Sequence, residues 1–163
     1  MQELFTEFKQ ERRQTHQRVL ALAADLTDDQ LRWRPDLHAP GIGFHIWHLA
    51  RWADHDRQII GGGDQIWRTQ KLAARWGLEG ADLGPVATGM GMGDEAAERL
   101  VLPEKAVLIA YAQEAFDALD GFVDPLTLEQ FSAPTRPPDD RQRPVRNVLL
   151  THLVHDNRRL GMI

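Results

Sequence analysis

The sequence predicts an all-α protein, a four-helix bundle with a long irregular insertion between the second and third helices. Apolar residues recur at three-to-four spacing in four long segments, and prolines and glycines separate these segments. No segment shows the alternating pattern that is typical of a β-strand. A chain of 163 residues is expected to form one domain, residues 1–163, which buries roughly 70% of the unfolded surface.

The four predicted helices differ in how their ends are marked. The first has a very polar middle, residues 9–18, which we expect to be exposed. Thr27-Asp28-Asp29-Gln30 has the form of a capping box and predicts a short helical turn through Leu31. Three consecutive glycines at 61–63 predict the end of the second helix. The predicted helices cover residues 2–26, 43–60, 103–122 and 144–163.

Residues 64–102 form the predicted insertion. A short helix is expected over Ile66–Trp76, and another over residues 94–102. The glycine-rich stretch between them, residues 84–93, resembles a phosphate-binding loop only in its glycine content. It follows no strand and lacks the lysine of such loops, so we interpret it as a flexible loop. A further loop at 135–144 is predicted to separate the last two long helices.

Composition excludes several classes of function. The net charge of −5 and the absence of a basic stripe argue against nucleic-acid binding. No apolar run is long enough for a transmembrane helix, so no membrane partner is expected. There is no cysteine, which excludes disulfides, cysteine nucleophiles and thiolate metal sites. The polar N-terminus is unlike a signal peptide, and we expect a cytoplasmic protein.

Five of the seven histidines fall in two clusters, His45, His48 and His55 on the second helix and His152 and His155 on the last. His48 and His55 lie about 20° apart around the helix but roughly 10 Å apart along it, too far to bind one ion. A metal site would therefore need histidines from both helices, meeting across the core. The alternative interpretation is that these histidines are hydrogen-bonded core residues.

Three short motifs, in this order, resemble the DinB/YfiT-like superfamily, and the middle one resembles its DinB_2-type branch. They are GIGFHIWHLARWADHD at 41–56, IWRTQKLAARWGL followed by TGMGM, and HDNRRLGMI at 155–163. The resemblance implies a four-helix bundle, often dimeric, with a divalent metal such as zinc or nickel held by three histidines. Several members transfer thiols such as bacillithiol or mycothiol.

Under this resemblance His48 matches the first metal ligand and His155 the second. The third position, four residues later, falls on Arg159, which stays protonated and cannot bind a metal. Two alternatives follow. His152 replaces the lost ligand, or the guanidinium of Arg159 occupies the place of the ion, which we favour. The glutamine that follows Gly161 in the family is Met162 here.

Two functions remain open at this point. The first is a small-molecule-binding protein that has lost its metal, with a pocket lined by His48, His155 and Arg159, the arginine pairing with an acidic group of the ligand. The alternative is a metal-dependent thiol S-transferase or hydrolase, in which the two histidines hold zinc or nickel. The sequence does not decide whether the protein is an enzyme. A homodimer is the expected assembly, because the superfamily is often dimeric and bundles share apolar helix faces.

Overall fold

The computed structural model describes residues 2–135 and 143–163, and every regular element in them is a helix. An isolated β-bridge joins Pro134 to Pro144. The all-helical prediction is therefore confirmed. Most of the loop predicted at 135–144 lies outside the described residues. None of the helices in the described part of the chain is long and apolar enough to cross a membrane.

The helices comprise four long ones and several short ones in the connections between them. In chain order they are α1 (Gln2–Asp25), α2 (Asp28–Arg32), α3 (Ile42–Ile59), α4 (Ile66–Thr69), α5 (Leu72–Arg75), α6 (Asp94–Arg99), α7 (Lys105–Val123), α8 (Leu128–Ser132) and α9 (Val145–Leu160).

The long helices pack in a ring, in which α3 and α1 each contact both α7 and α9. The contact between α3 and α7 is the most extensive. The second and last predicted helices are therefore neighbours, as the histidine pattern requires. The core lies where the four helices meet, and it is built from their apolar faces, including Val19, Leu49, Leu119 and Leu149.

Helix α3 is buried on nearly all sides, with 13 of its 18 residues buried. This set includes five polar or charged side chains: His45, His48, Arg51, Asp54 and Asp56. A buried polar group is costly unless it is hydrogen-bonded or paired, so each of these side chains requires a partner from another part of the chain.

The predicted capping box at Thr27 is confirmed, because the Thr27 hydroxyl accepts from the backbone N–H of Gln30 while the Gln30 side chain accepts from the N–H of Thr27. The same pattern at Thr127 and Gln130 begins α8, a helix that the sequence analysis did not include.

The single helix predicted over Ile66–Trp76 is wrong. The chain forms α4 and α5 instead, separated at Lys71, which has a left-handed backbone with φ of 52°. In a continuous helix Trp67 and Leu72 would point about 140° apart. The break allows both to be buried, at 5% and 3% exposure.

The expectation that the polar middle of α1 is exposed is also wrong for its inner face. Arg12 and Thr15 are fully buried, and His16 is 2% exposed. The reason is electrostatic, because carboxylates of the neighbouring helices face this turn. Asp120 of α7 pairs with Arg12 and His16, and Asp156 of α9 lies 3.5 Å from the Nε2 atom of His16.

The buried ion pair between Arg51 and Asp54 of α3 binds the insertion, residues 64–102, through hydrogen bonds. Arg51 Nη1 donates to Asp54 Oδ2 at 3.0 Å, Nη2 donates to Gln65 Oε1 at 2.7 Å, and Nε donates to the carbonyl of Ala87 at 2.7 Å. The Asp54 carboxylate also accepts from the backbone N–H groups of Ile66 and Trp67, both at 2.8 Å. Both charged side chains are fully buried and satisfied.

We predict that Asp54→Asn lowers the free energy of unfolding by about 3–5 kcal/mol, because it leaves the buried Arg51 without a counter-charge. Urea unfolding followed by circular dichroism measures this change. The matched control is Asp117→Asn on the exposed side of α7, which should stay within about 0.5 kcal/mol of wild type. A change below about 1 kcal/mol for Asp54→Asn would show that the pair does not anchor the insertion.

Candidate functional site

His48 of α3 and His155 of α9 meet at the interface of the two helices. Their Nε2 atoms lie 3.0 Å apart, and the ring planes are inclined by 60°. His48 is 3% exposed, whereas His155 is partly exposed. The structure thus brings together the two histidines that the motifs singled out. Their roles in binding or catalysis stay predictions.

The protonation of His48 follows from its hydrogen bonds. Its Nδ1 faces the carbonyl of Thr88, which can only accept, so Nδ1 carries the proton. Its Nε2 is then free to accept the N–H of His155. Burial is the main reason that the pKa of His48 is lowered to about 3. The hydrogen bond to the Thr88 carbonyl acts in the opposite direction, and the charge of Arg159 lowers the pKa further. His48 is therefore neutral at physiological pH.

The carbonyl that orients His48 belongs to the glycine-rich stretch, whose role the sequence analysis missed. Thr88 is fully buried, and the preceding Ala87 is held by Arg51. Gly89 has a φ of 86°, and a Cβ atom there would lie 2.8 Å from the Trp47 ring and 3.1 Å from His48 Nδ1. The loop thus approaches α3 more closely than any residue with a side chain would allow. The cluster of glycines was the only sequence signal for this packing.

Arg159 lies at the same helix interface and faces α3. Its Nη1 donates to His45 Nδ1 at 3.5 Å and approaches the sulfur of Met162 at 3.6 Å. Burial, together with the positive charge of Arg159, lowers the pKa of His45 to about 4. Arg159 therefore places a cation beside a neutral histidine one turn before His48.

His152 is not brought into contact with the His48 ring. Its Nε2 lies 3.1 Å from Asp156 Oδ1, and its Nδ1 lies 3.7 Å from Asp56 Oδ2. Burial alone would lower the pKa of His152, but the two carboxylates outweigh this effect and raise it. The side chain therefore belongs to a buried charge network and is not placed as a third metal ligand.

The donor set at this interface does not fit the three-histidine metal site that the resemblance implies. Within residues 2–135 and 143–163, no group of three or more histidine, aspartate or glutamate side chains is arranged to hold a metal ion. Two imidazoles are present, and the third position carries the cation Arg159. A positive charge close to a divalent ion opposes its binding.

A cleft of about 540 Å³ opens on one side of His155. Of the three residues predicted to line a pocket, His155 lines this cleft, whereas His48 and Arg159 do not. His55 and His152 line it as well. The apolar part of its wall consists of Trp52, Ile59, Val86, Met90 and Val148. Polar and charged side chains, including Gln58, Gln65 and Arg68, form the rest of the wall. Apolar side chains combined with polar groups are typical of small-molecule sites, and the volume lies within their usual range.

We predict that Gly89→Ala lowers the free energy of unfolding by about 1–3 kcal/mol more than Gly80→Ala does, as measured by urea unfolding. Both glycines have a positive φ, 86° and 83°, so both substitutions strain the backbone alike. Only at Gly89 would the new methyl group meet other side chains, whereas nothing lies within 4 Å at Gly80. If both substitutions lower the free energy of unfolding equally, the loop at Gly89 is not packed closely against His48.

We predict that His45 makes the protein less stable as the pH falls from 6.5 to 5. The unfolded histidine, with a pKa of about 6.5, binds a proton in this range, whereas the folded one, with a pKa of about 4, does not. The difference corresponds to about 2 kcal/mol at pH 5. His45→Gln should remove this part of the pH dependence in urea unfolding.

The control for this experiment is His38→Gln, because His38 is exposed. The raised pKa of His152 does not interfere, since its stabilising contribution is complete below pH 6.5 and stays constant in this window. An unchanged slope in His45→Gln would show that His45 is protonated in the folded protein.

The comparisons with known proteins agree with the helical fold and the motifs. A conserved protein from Enterococcus faecalis, known from a crystal structure, superposes with a TM-score of 0.77, covering 96% of this chain and 90% of that one. The identity is 18%, so the likeness concerns the fold alone. The sequence matches no curated protein. Residues 11–163 match the DinB superfamily, and the chain therefore belongs to that superfamily.

Proposed function

We propose that this chain is a small-molecule-binding protein on a DinB-type four-helix bundle, and that its pocket functions without a resident metal ion. The observation that carries the proposal is the position of Arg159. It stands where the superfamily resemblance expects the third histidine, and its guanidinium lies against His45. The ligand would bind in the cleft beside His155.

Electrostatics disfavour a divalent ion between the two histidines. Two like unit charges 4 Å apart repel by about 4 kcal/mol at an effective dielectric constant of 20, and a dication doubles this value. Burial is the main cause of the lowered pKa of His48, and the charge of Arg159 adds a smaller decrease, in the direction that disfavours a second cation there. Arginine also cannot escape the conflict by losing its proton.

The hydrogen bonds of the histidine pair offer a role that needs no metal. Thr88 accepts from His48, and His48 accepts from His155, so the three groups form one chain of hydrogen bonds from the loop to the cleft. This chain fixes the ring of His155 at the cleft wall. His155 can then act as an oriented polar contact for a ligand that also packs against the apolar part of the cleft wall.

We predict that wild-type protein binds zinc weakly or not at all in isothermal titration calorimetry, and that Arg159→His binds it more tightly by a factor of at least 100. The substitution removes the cation and places an imidazole one helical turn from His155, the usual spacing for two ligands on one ion. With His48 opposite, three nitrogens would be available.

The matched control is Arg158→His, which also replaces an arginine of α9 by histidine, but at an exposed position about 100° away around the helix. It should bind zinc no better than wild type. Tight binding by the wild type, equal to that of Arg159→His, would contradict the proposal. It would favour the alternative function, a metal-dependent thiol transferase or hydrolase.

A further inference from the structure

We infer that the cleft selects ligands that join an apolar body to an anionic group, and that the guanidinium of Arg68 binds the anion. This inference rests on the proposed small-molecule function and adds the chemical class of the ligand. It depends on the distribution of charge around the cleft, on the state of Arg68 and on the apolar wall.

The charges that line the cleft are unevenly placed. Arg68 and Arg143 are its cationic lining residues, and Asp56 is the one carboxylate among its described lining residues. Asp56 is only 4% exposed, with Oδ1 lying 3.4 Å from His55 Nδ1 and Oδ2 lying 3.7 Å from His152 Nδ1. The negative charge is therefore covered by two histidines, and the charge presented to a ligand is positive.

Among the described lining residues, Arg68 is the cation on which the inference depends. It is exposed, and no described residue forms a hydrogen bond or an ion pair with its guanidinium. Arg143 already interacts with other residues, so the inference does not depend on it. A guanidinium presents a planar set of N–H donors that matches two oxygens of a carboxylate, sulfonate or phosphate.

The remaining wall suits an apolar body of moderate size. Trp52 offers a partly exposed indole, and Ile59 and Val148 form a buried floor at 2% exposure each. A volume of about 540 Å³ is large enough for a bicyclic aromatic group or a medium-length acyl chain. An anion without such a body would gain only one exposed ion pair, which contributes little in water.

Two fluorescent dyes that differ by a single sulfonate group test this inference. Anilinonaphthalene sulfonate carries the anion, and phenylnaphthylamine is the same molecule without the sulfonate group. We expect the wild-type protein to bind both dyes and to bind the sulfonate more tightly. Arg68→Gln should raise the Kd of the sulfonate about two- to fivefold, the effect of losing one exposed ion pair, and leave the neutral dye unchanged.

Two control variants make the result specific. Arg75→Gln on α5 changes the net charge equally at an exposed position outside the cleft, so it should affect neither dye. Thr151→Trp fills the cleft from an exposed position on α9 and should weaken both dyes, which locates them there. A dye that is insensitive to Thr151→Trp counts as not bound in the cleft.

The outcomes distinguish the anion selectivity of the cleft from its function as a small-molecule site. If both dyes bind in the cleft with equal affinity, or if Arg68→Gln and Arg75→Gln weaken the sulfonate equally, the anion selectivity is wrong while the small-molecule function stands. If neither dye binds in the cleft, the proposed function itself is wrong. If only Arg68→Gln weakens the binding of the sulfonate, and it leaves the neutral dye unaffected, the result supports both the anion selectivity and the small-molecule function.

Discussion

The rest of this structure depends on one constraint, the burial of a helix that carries polar side chains on several faces. Helix α3 is surrounded by its neighbours, and a buried histidine, arginine or aspartate is tolerated only with a partner. The partners come from parts of the chain that are distant in sequence. Ala87 and Gln65 of the insertion accept from Arg51, the backbone of α4 donates to Asp54, and Thr88 accepts from His48.

The same constraint links the stability of the fold to the geometry of the site. The carbonyls of Ala87 and Thr88 are consecutive, and the first is held by Arg51 while the second holds His48. A change that loosens the Arg51–Asp54 pair should therefore also shift the ring of His48. Gly89 completes this arrangement, because only a residue without Cβ allows the loop to lie so close to α3.

Periodicity and capping chemistry were sufficient to predict the helical class and the bounds of the long helices to within a few residues. They failed where tertiary partners decided the outcome. Arg12 appeared exposed because its own helix segment is polar, and the carboxylate of Asp120 that accounts for its burial lies 108 residues away. The motifs placed His48 opposite His155, but no local signal showed that Thr88 orients His48 or that a cleft opens beside His155. These features arise from the packing of the insertion.

The identity of residue 159 affects how the geometry of His48 and His155 is interpreted. A histidine that donates Nδ1–H to a carbonyl and directs Nε2 at a second imidazole has the orientation of a metal ligand. The same orientation also suits a neutral hydrogen-bonded pair, and under our proposal the charge of the third residue decides between the two. With histidine at position 159, an ion would gain a third lone pair and meet no cation. With arginine there, a positive charge lies beside the neutral His45 and His48, and His48 is in direct contact with His155.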